Sequence, residues 1–224
     1  MAIVLLLNAH TDDTEYSCGG TIARLAEAGA EIHYIAFSGS EEAVPEGLPR
    51  DILRREVMDS TRVLGILAER VRVLDFKLRN FPQYRQEILD TIINLKDEIK
   101  PDIIIAPSVH DIHQDHKVIA EEALRAFKNN TIWHFEIPYK NIAFNPCLYI
   151  KLEETHLNKK FEAIQSYKSQ LIRKGLSNGS AYFTREYINA NAIFRGQQIG
   201  EKYAECFEII RWVMREPGNL GSFL

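Results

Sequence analysis

Residues 1–140 alternate between short, continuous apolar runs and longer amphipathic stretches, and this alternation leaves few architectures open. Ala2–Leu7 and Asp102–Ala106 carry the dense apolar or β-branched character that a strand covered on both faces requires. Glu31–Phe37, Val71–Leu74 and Thr131–Ile137 read as further strands. Between them lie four helical stretches. Gly20–Ala28 sets Ile22, Leu25 and Ala26 on one stripe, and Arg50–Leu64 groups Ile52, Leu53, Val57, Val63 and Leu64 before Gly65 ends it. Tyr84–Ile99 repeats Ile88, Leu89, Ile92 and Leu95 at helical spacing, and Asp115–Phe127 is helical again. Strand and helix taking turns in this way predict an α/β, Rossmann-like fold, a mostly parallel sheet with flanking helices.

Beyond Pro138 the pattern is irregular. A helix is expected over His156–Ile172, a Gly/Ser/Asn-rich turn at Gly175–Ser180 and a terminal apolar stretch near Phe207–Val213. At 224 residues the chain fits one domain, read here as a core over 1–140 and a C-terminal elaboration over 141–224. No apolar run approaches the ~18 residues that span a bilayer, so no integral membrane segment is expected. The opening Met1–Leu7 run lacks a basic flank and reads as a buried strand rather than a leader. A net charge of −4 with interspersed signs leaves no basic stretch for nucleic acid. Cys18, Cys147 and Cys206 are odd in number and lack C-x-x-C spacing, which fits a reducing cytoplasm and no disulfide framework. A single sequence leaves a homo-oligomer open.

The chemistry gathers in two loops. After the first strand come His10, Asp12, Asp13 and Glu15, and after the fourth come His110, Asp111, His113, Asp115 and His116. In the doubly wound order 3-2-1-4-5-6 those two strands are neighbours where the winding reverses, and ligands bind beyond their carboxyl ends. The clusters should therefore converge. Imidazole and carboxylate together suit a borderline divalent ion such as zinc, and three protein ligands leave a position open for water, as in a metal hydrolase.

Other features read as structural. His33 and His134 lie inside strands and His156 opens a helix, while His110 is a candidate for a supporting role beside the site. Nothing positions a base for Cys18, so its thiol is expected to be inert. Gly19–Gly20 suits close helix packing, and neither a dinucleotide nor an ATP phosphate motif is present.

The loops stand as Ala9-His10-Thr11-Asp12-Asp13-Thr14-Glu15 and His113-Gln114-Asp115-His116, and with them the chain resembles the PIG-L/LmbE-type zinc-dependent de-N-acetylases. Glu56, Leu64-Gly65, Pro101-Asp102, Tyr167-Lys168-Ser169-Gln170, Arg195-Gly196 and Tyr203–Phe207 extend the likeness along the chain. The family's loop proline is here Thr11, which removes a fixed φ but no ligand. The resemblance implies that His10, Asp13 and His116 bind zinc and that Asp12 is the general base. It further implies that His113, oriented by Asp115, is the acid or oxyanion stabiliser, and that Arg54 or Arg55 holds substrate oxygens. The implied reaction removes the acetyl group of an N-acetylglucosaminyl conjugate, releasing acetate and amine. The loops Ser38–Pro49 and Asp75–Pro82 would line the mouth. A two-metal phosphoesterase and a non-catalytic metal- or sugar-binding protein are the alternatives, and the presence of Asp12 and His113, neither needed as a ligand, weighs against the latter.

Overall fold

The computed structural model describes residues 1–172 and 183–214. Five strands, β1 (Ile3–Asn8), β2 (Glu31–Ala36), β3 (Val71–Val73), β4 (Ile103–Pro107) and β5 (Thr131–Phe135), run parallel, with Leu5 of β1 set between His33 of β2 and Ile104 of β4. Two later strands, β6 (Leu148–Lys151) and β7 (Ala204–Arg211), complete a sheet of order β3-β2-β1-β4-β5-β7-β6. β7 lies antiparallel to both of its neighbours. The fold is thus the expected α/β sheet, mostly parallel, with β1 beside β4.

Pleating divides the core between the two faces of the sheet. Val4 and Leu6 face helices α1 (Asp13–Glu27), α2 (Ile52–Val63), α5 (Glu154–Gln165) and α7 (Arg185–Gln197), meeting Ile22, Leu53, Val57, Leu157 and Ala192. Leu5 and Leu7 face α3 (Arg85–Ile99) and α4 (Gln114–Ala126), meeting Ile88, Ile92 and Ile119. Covered on both sides, β1 and β4 need apolar side chains at nearly every position, hence their unbroken runs.

The structure departs from the sequence reading in four places. Helix α1 begins at Asp13 rather than Gly20, because its first turns bury Asp13, Thr14 and Glu15 and carry no apolar stripe. It kinks at Cys18 (φ −137°, ψ 26°), and the Glu205 carboxylate accepts the Gly20 and Thr21 N–H groups beyond the kink at 3.1 and 2.6 Å. Gly20 permits the close approach there: a Cβ would stand 2.6 Å from Leu152 Cδ1 and 3.2 Å from that carboxylate. The helix expected over His156–Ile172 is two, α5 and α6 (Lys168–Leu171), parted at Tyr167, whose φ −81° and ψ 61° are not helical. β6 and α7 went unread, the first a short edge strand, the second carrying exposed Ile193 and Phe194 among sparse buried positions. The expected Gly175–Ser180 turn lies outside the described residues. No helix among the described residues is long and apolar enough to cross a membrane.

Candidate metal centre and active site

The strand order brings the β1 and β4 loops together at the carboxyl ends of their strands. His10 Nδ1 and His116 Nε2 face each other at 3.1 Å, Asp13 Oδ1 lies 3.1 Å from His116 Nε2, and Asp13 Oδ2 lies 3.7 Å from His10 Nδ1. A tetrahedral ion with ligand bonds near 2.0–2.1 Å sets its donors ~3.3 Å apart. These spacings bracket that edge, so the donor set fits such an ion. His113 adds a third ring, its centroid 4.8 Å from that of His10 and 4.7 Å from that of His116.

The far nitrogens of the two facing rings strengthen the fit. His116 Nδ1 bonds Asp111 Oδ2 at 2.7 Å and His10 Nε2 bonds Asp115 Oδ2 at 3.2 Å. Each carboxylate takes the N–H of its imidazole, which turns the lone pair of the other nitrogen toward the shared point, the usual outer-shell arrangement around a metal-binding histidine. Asp115 is itself fixed by the backbone N–H groups of Arg79 (2.6 Å) and Phe81 (3.3 Å), and Arg79 is held at φ 63°, a strained value for a residue with a side chain. Asp111 Oδ1 also accepts the His113 N–H at 2.7 Å.

Asp115 was expected to orient His113, yet its carboxylate turns to His10. The link to His113 runs the other way: His113 caps α4, its Nδ1 accepting the Asp115 backbone N–H at 3.2 Å. Any ring proton therefore sits on Nε2. Burial and the neighbouring His116 and His10 push the His113 pKa down to about 3, which favours the neutral ring. Asp111, named in the loop cluster without a role, is the carboxylate the sequence reading missed. Its only sequence signal is an acid in the same loop as His116.

The electrostatics separate the remaining acids. Burial opposes charge on Asp13, but His116 and His10 outweigh it and hold this carboxyl well below its ordinary range. Burial and then the charge of Asp13 raise Asp12 instead. Asp12 precedes α1 without capping it, and its carboxylate bonds no other described residue. Burial also opposes charge on His10, yet Asp13 and Asp115 prevail and lift its pKa to about 9.

Arg54 and Arg55 part company. Arg54 reaches the carboxyl ends of β2 and β3, with Nη1 on the Val73 carbonyl (3.0 Å) and Nη2 on the Leu74 carbonyl (3.2 Å) and Asp75 (2.5 Å). Gly39 leaves room for it, since a Cβ there would lie 2.7 Å from Arg54 Nε. Arg55 is exposed and paired one turn back with Asp51 at 2.6 Å. The Asp75–Pro82 loop borders the site through Arg79 and Phe81. His110 is exposed, its carbonyl bonded to the Ile142 N–H at 3.1 Å. His33 and His156 are engaged with Glu31 and with Glu27 and Glu153, and Cys18 is buried at the helix kink.

The chain and its fold are similar to those of known proteins. The PIG-L family model, described as GlcNAc-PI de-N-acetylase, matches residues 5–127, more than half of the chain and both loops. A diacetylchitobiose deacetylase of Thermococcus kodakarensis is 22% identical, the match covering 92% of this chain and 82% of that protein. The N,N'-diacetylchitobiose deacetylase of Pyrococcus horikoshii superposes with a TM-score of 0.77 at 21% identity, covering 100% of this chain and 89% of that one. A 4-carboxy-2-hydroxymuconate hydratase of Pseudomonas putida shares the fold too, with a TM-score of 0.73 at 21% identity, covering 96% and 99%.

Proposed function

Since the chain belongs to the PIG-L family of GlcNAc-PI de-N-acetylases, we propose that it is a zinc-dependent hydrolase acting on the amide C–N bond of an N-acetylated amino sugar. The observation that carries this reading is the facing pair His10 Nδ1 and His116 Nε2, 3.1 Å apart, each ring held from behind by a carboxylate. His10, Asp13 and His116 would hold the ion. When bound, zinc supplies Lewis-acid polarisation of the acyl oxygen and a water of lowered pKa.

The chain's own residues do the rest. Asp12, raised by burial and by Asp13, takes the proton of the attacking water and can return it to the departing amine. Neutral His113, its Nδ1 committed to the helix cap, offers an Nε2–H to the oxygen that gains charge. Arg54 serves the sugar oxygens. The products are acetate and a free amine. Three free thiols favour the cytoplasm as the compartment.

The test pairs chemistry with metal content. Zinc-loaded protein is assayed for free amine across N-acetylglucosaminyl conjugates, with a phosphate ester and an unsaturated dicarboxylate as arms for the phosphatase and hydratase alternatives. Asp12→Asn keeps its zinc and loses ~10² to 10⁴ in kcat, the usual worth of acid–base catalysis. Asp13→Asn loses zinc first, with partial rescue by excess metal. The opposite pattern, zinc lost by the former and kept with activity by the latter, would exchange the two roles.

A further inference from the structure

Two tyrosines distant in sequence converge on one backbone oxygen of the β1 loop. Tyr34 Oη of β2 stands 2.6 Å from the Thr11 carbonyl, and Tyr167 Oη, from the break between α5 and α6, donates to the same oxygen. Each phenol also lies 2.8 Å from one oxygen of the Glu15 carboxyl, and Ser60 Oγ of α2 bonds that carboxyl at 2.9 Å. All of these groups are buried. The Tyr167 segment is fastened in turn: the N–H and Oγ of Ser169 bond the two oxygens of Glu56 at 2.9 and 2.5 Å. Glu15, Glu56, Tyr167 and Ser169 touch no ligand atom of the candidate metal site, yet they form one connected device ending at Thr11.

That oxygen is a consequential place to hold the loop. The peptide plane carrying the Thr11 carbonyl also carries the Asp12 nitrogen, so fixing the oxygen fixes the direction from which Asp12 departs. Adjacent carboxylates must here serve different ends, Asp13 beside His116 at 3.1 Å and Asp12 with no side-chain cap bond to α1. Thr11 supplies no ring to restrict its own φ. The constraint comes from outside the loop instead.

We infer that Tyr34 and Tyr167 are positioning residues, which by clamping the Thr11 carbonyl set His10 and Asp13 at metal-binding spacing and aim Asp12. This rests on the reading of His10, Asp13 and His116 as metal ligands. Tyr34→Phe, Tyr167→Phe and the double variant are compared with wild type for zinc affinity, by competition with a chromophoric chelator, and for kcat and KM. Ile92→Val in α3, on the opposite face of the sheet, serves as a control for lost stability. Each single variant should weaken zinc binding several-fold. The double should lose ~10- to 100-fold in affinity and kcat, as for other outer-shell partners, with KM little changed. Ile92→Val should lower the urea midpoint and leave zinc affinity alone. A double variant with wild-type zinc affinity and kcat, or losses equalled by Ile92→Val, would overturn the assignment. Where the double does not fold, the single variants decide. Wild-type protein that takes up no zinc would overturn the metal reading itself, which a zinc-binding wild type with unaffected tyrosine variants would leave intact.

Discussion

Zinc uptake should be linked to the loss of one proton, and the size of that linkage follows from the facing imidazoles. Without a cation, two nitrogen lone pairs 3.1 Å apart are relieved by a proton, and Asp13 and Asp115 hold it against the cost of burial until a pH of about 9. A histidine ligand must shed it. With a pKa of about 9, roughly 1% of His10 is ready to ligate at pH 7 and roughly 10% at pH 8, so affinity should climb about tenfold per pH unit and level off above pH 9. From pH 7 to 9, where half of His10 is ready, that is roughly 50-fold, or ~2 kcal/mol. Calorimetric titration of zinc at pH 7, in two buffers of different ionisation enthalpy, should count close to one proton released. The metal-free protein shows the other side of the same equilibrium. Its His10 pKa lies above the ordinary 6.5, so the proton's stabilisation, ~3 kcal/mol, is whole below about pH 6.5 and is lost as pH rises through about 9. Melting temperature in a chelator should fall across that window, and His10→Asn should flatten it. Zinc affinity that stayed level from pH 7 to 9, with no proton released, would refute the shared-proton geometry and the ligand role of His10 Nδ1.

Other outcomes follow from single contacts. Asp111→Asn frees His116 Nδ1 from its carboxylate and should cost ~10- to 100-fold in zinc affinity, measured by chelator competition. Arg54→Ala should lower kcat/KM at least tenfold, whereas Arg55→Ala, which removes an exposed pair with Asp51, should stay within twofold. Gly196→Ala should lower the urea midpoint by the equivalent of ~1–3 kcal/mol, because its Cβ would meet the Glu201 carbonyl oxygen at 2.6 Å in backbone that has little room to retreat.

The sequence was most legible where burial is simplest. Both faces of β1 and β4 are covered, so their residues are apolar at nearly every position, and the neighbourhood of those strands then located His10, Asp12, Asp13, His113 and His116 together. The start of α1 escaped because the site itself displaces the apolar stripe: Asp13, Thr14 and Glu15 are buried for their bonds rather than for hydrophobicity. The exchange between Asp111 and Asp115 escaped for another reason. Both acids sit in one short segment, and which imidazole each meets depends on where α4 begins and on the backbone of Arg79 and Phe81, contributed by a loop far away in sequence. Arg54 and Arg55 are adjacent on a helix and differ by about 100° in direction, a difference that only the position of α2 against β2 and β3 resolves.

The sheet order also says something about when this protein can become an enzyme. Among the described residues β7 is the last strand in chain order, yet it lies between β5 and β6. Until Ala204–Arg211 has left the ribosome, β5 presents an unpaired flank and β6 has no neighbour to join. The same strand brings Glu205 to the kink of α1, and Tyr167 arrives only shortly before it. A nascent chain halted after residue 127 would hold each proposed ligand and Tyr34, but not the Tyr167 half of the clamp. A product released before Ala204 would therefore lack both the strand that joins β5 to β6 and the carboxylate that holds the kink of α1, and should be idle rather than a loose hydrolase.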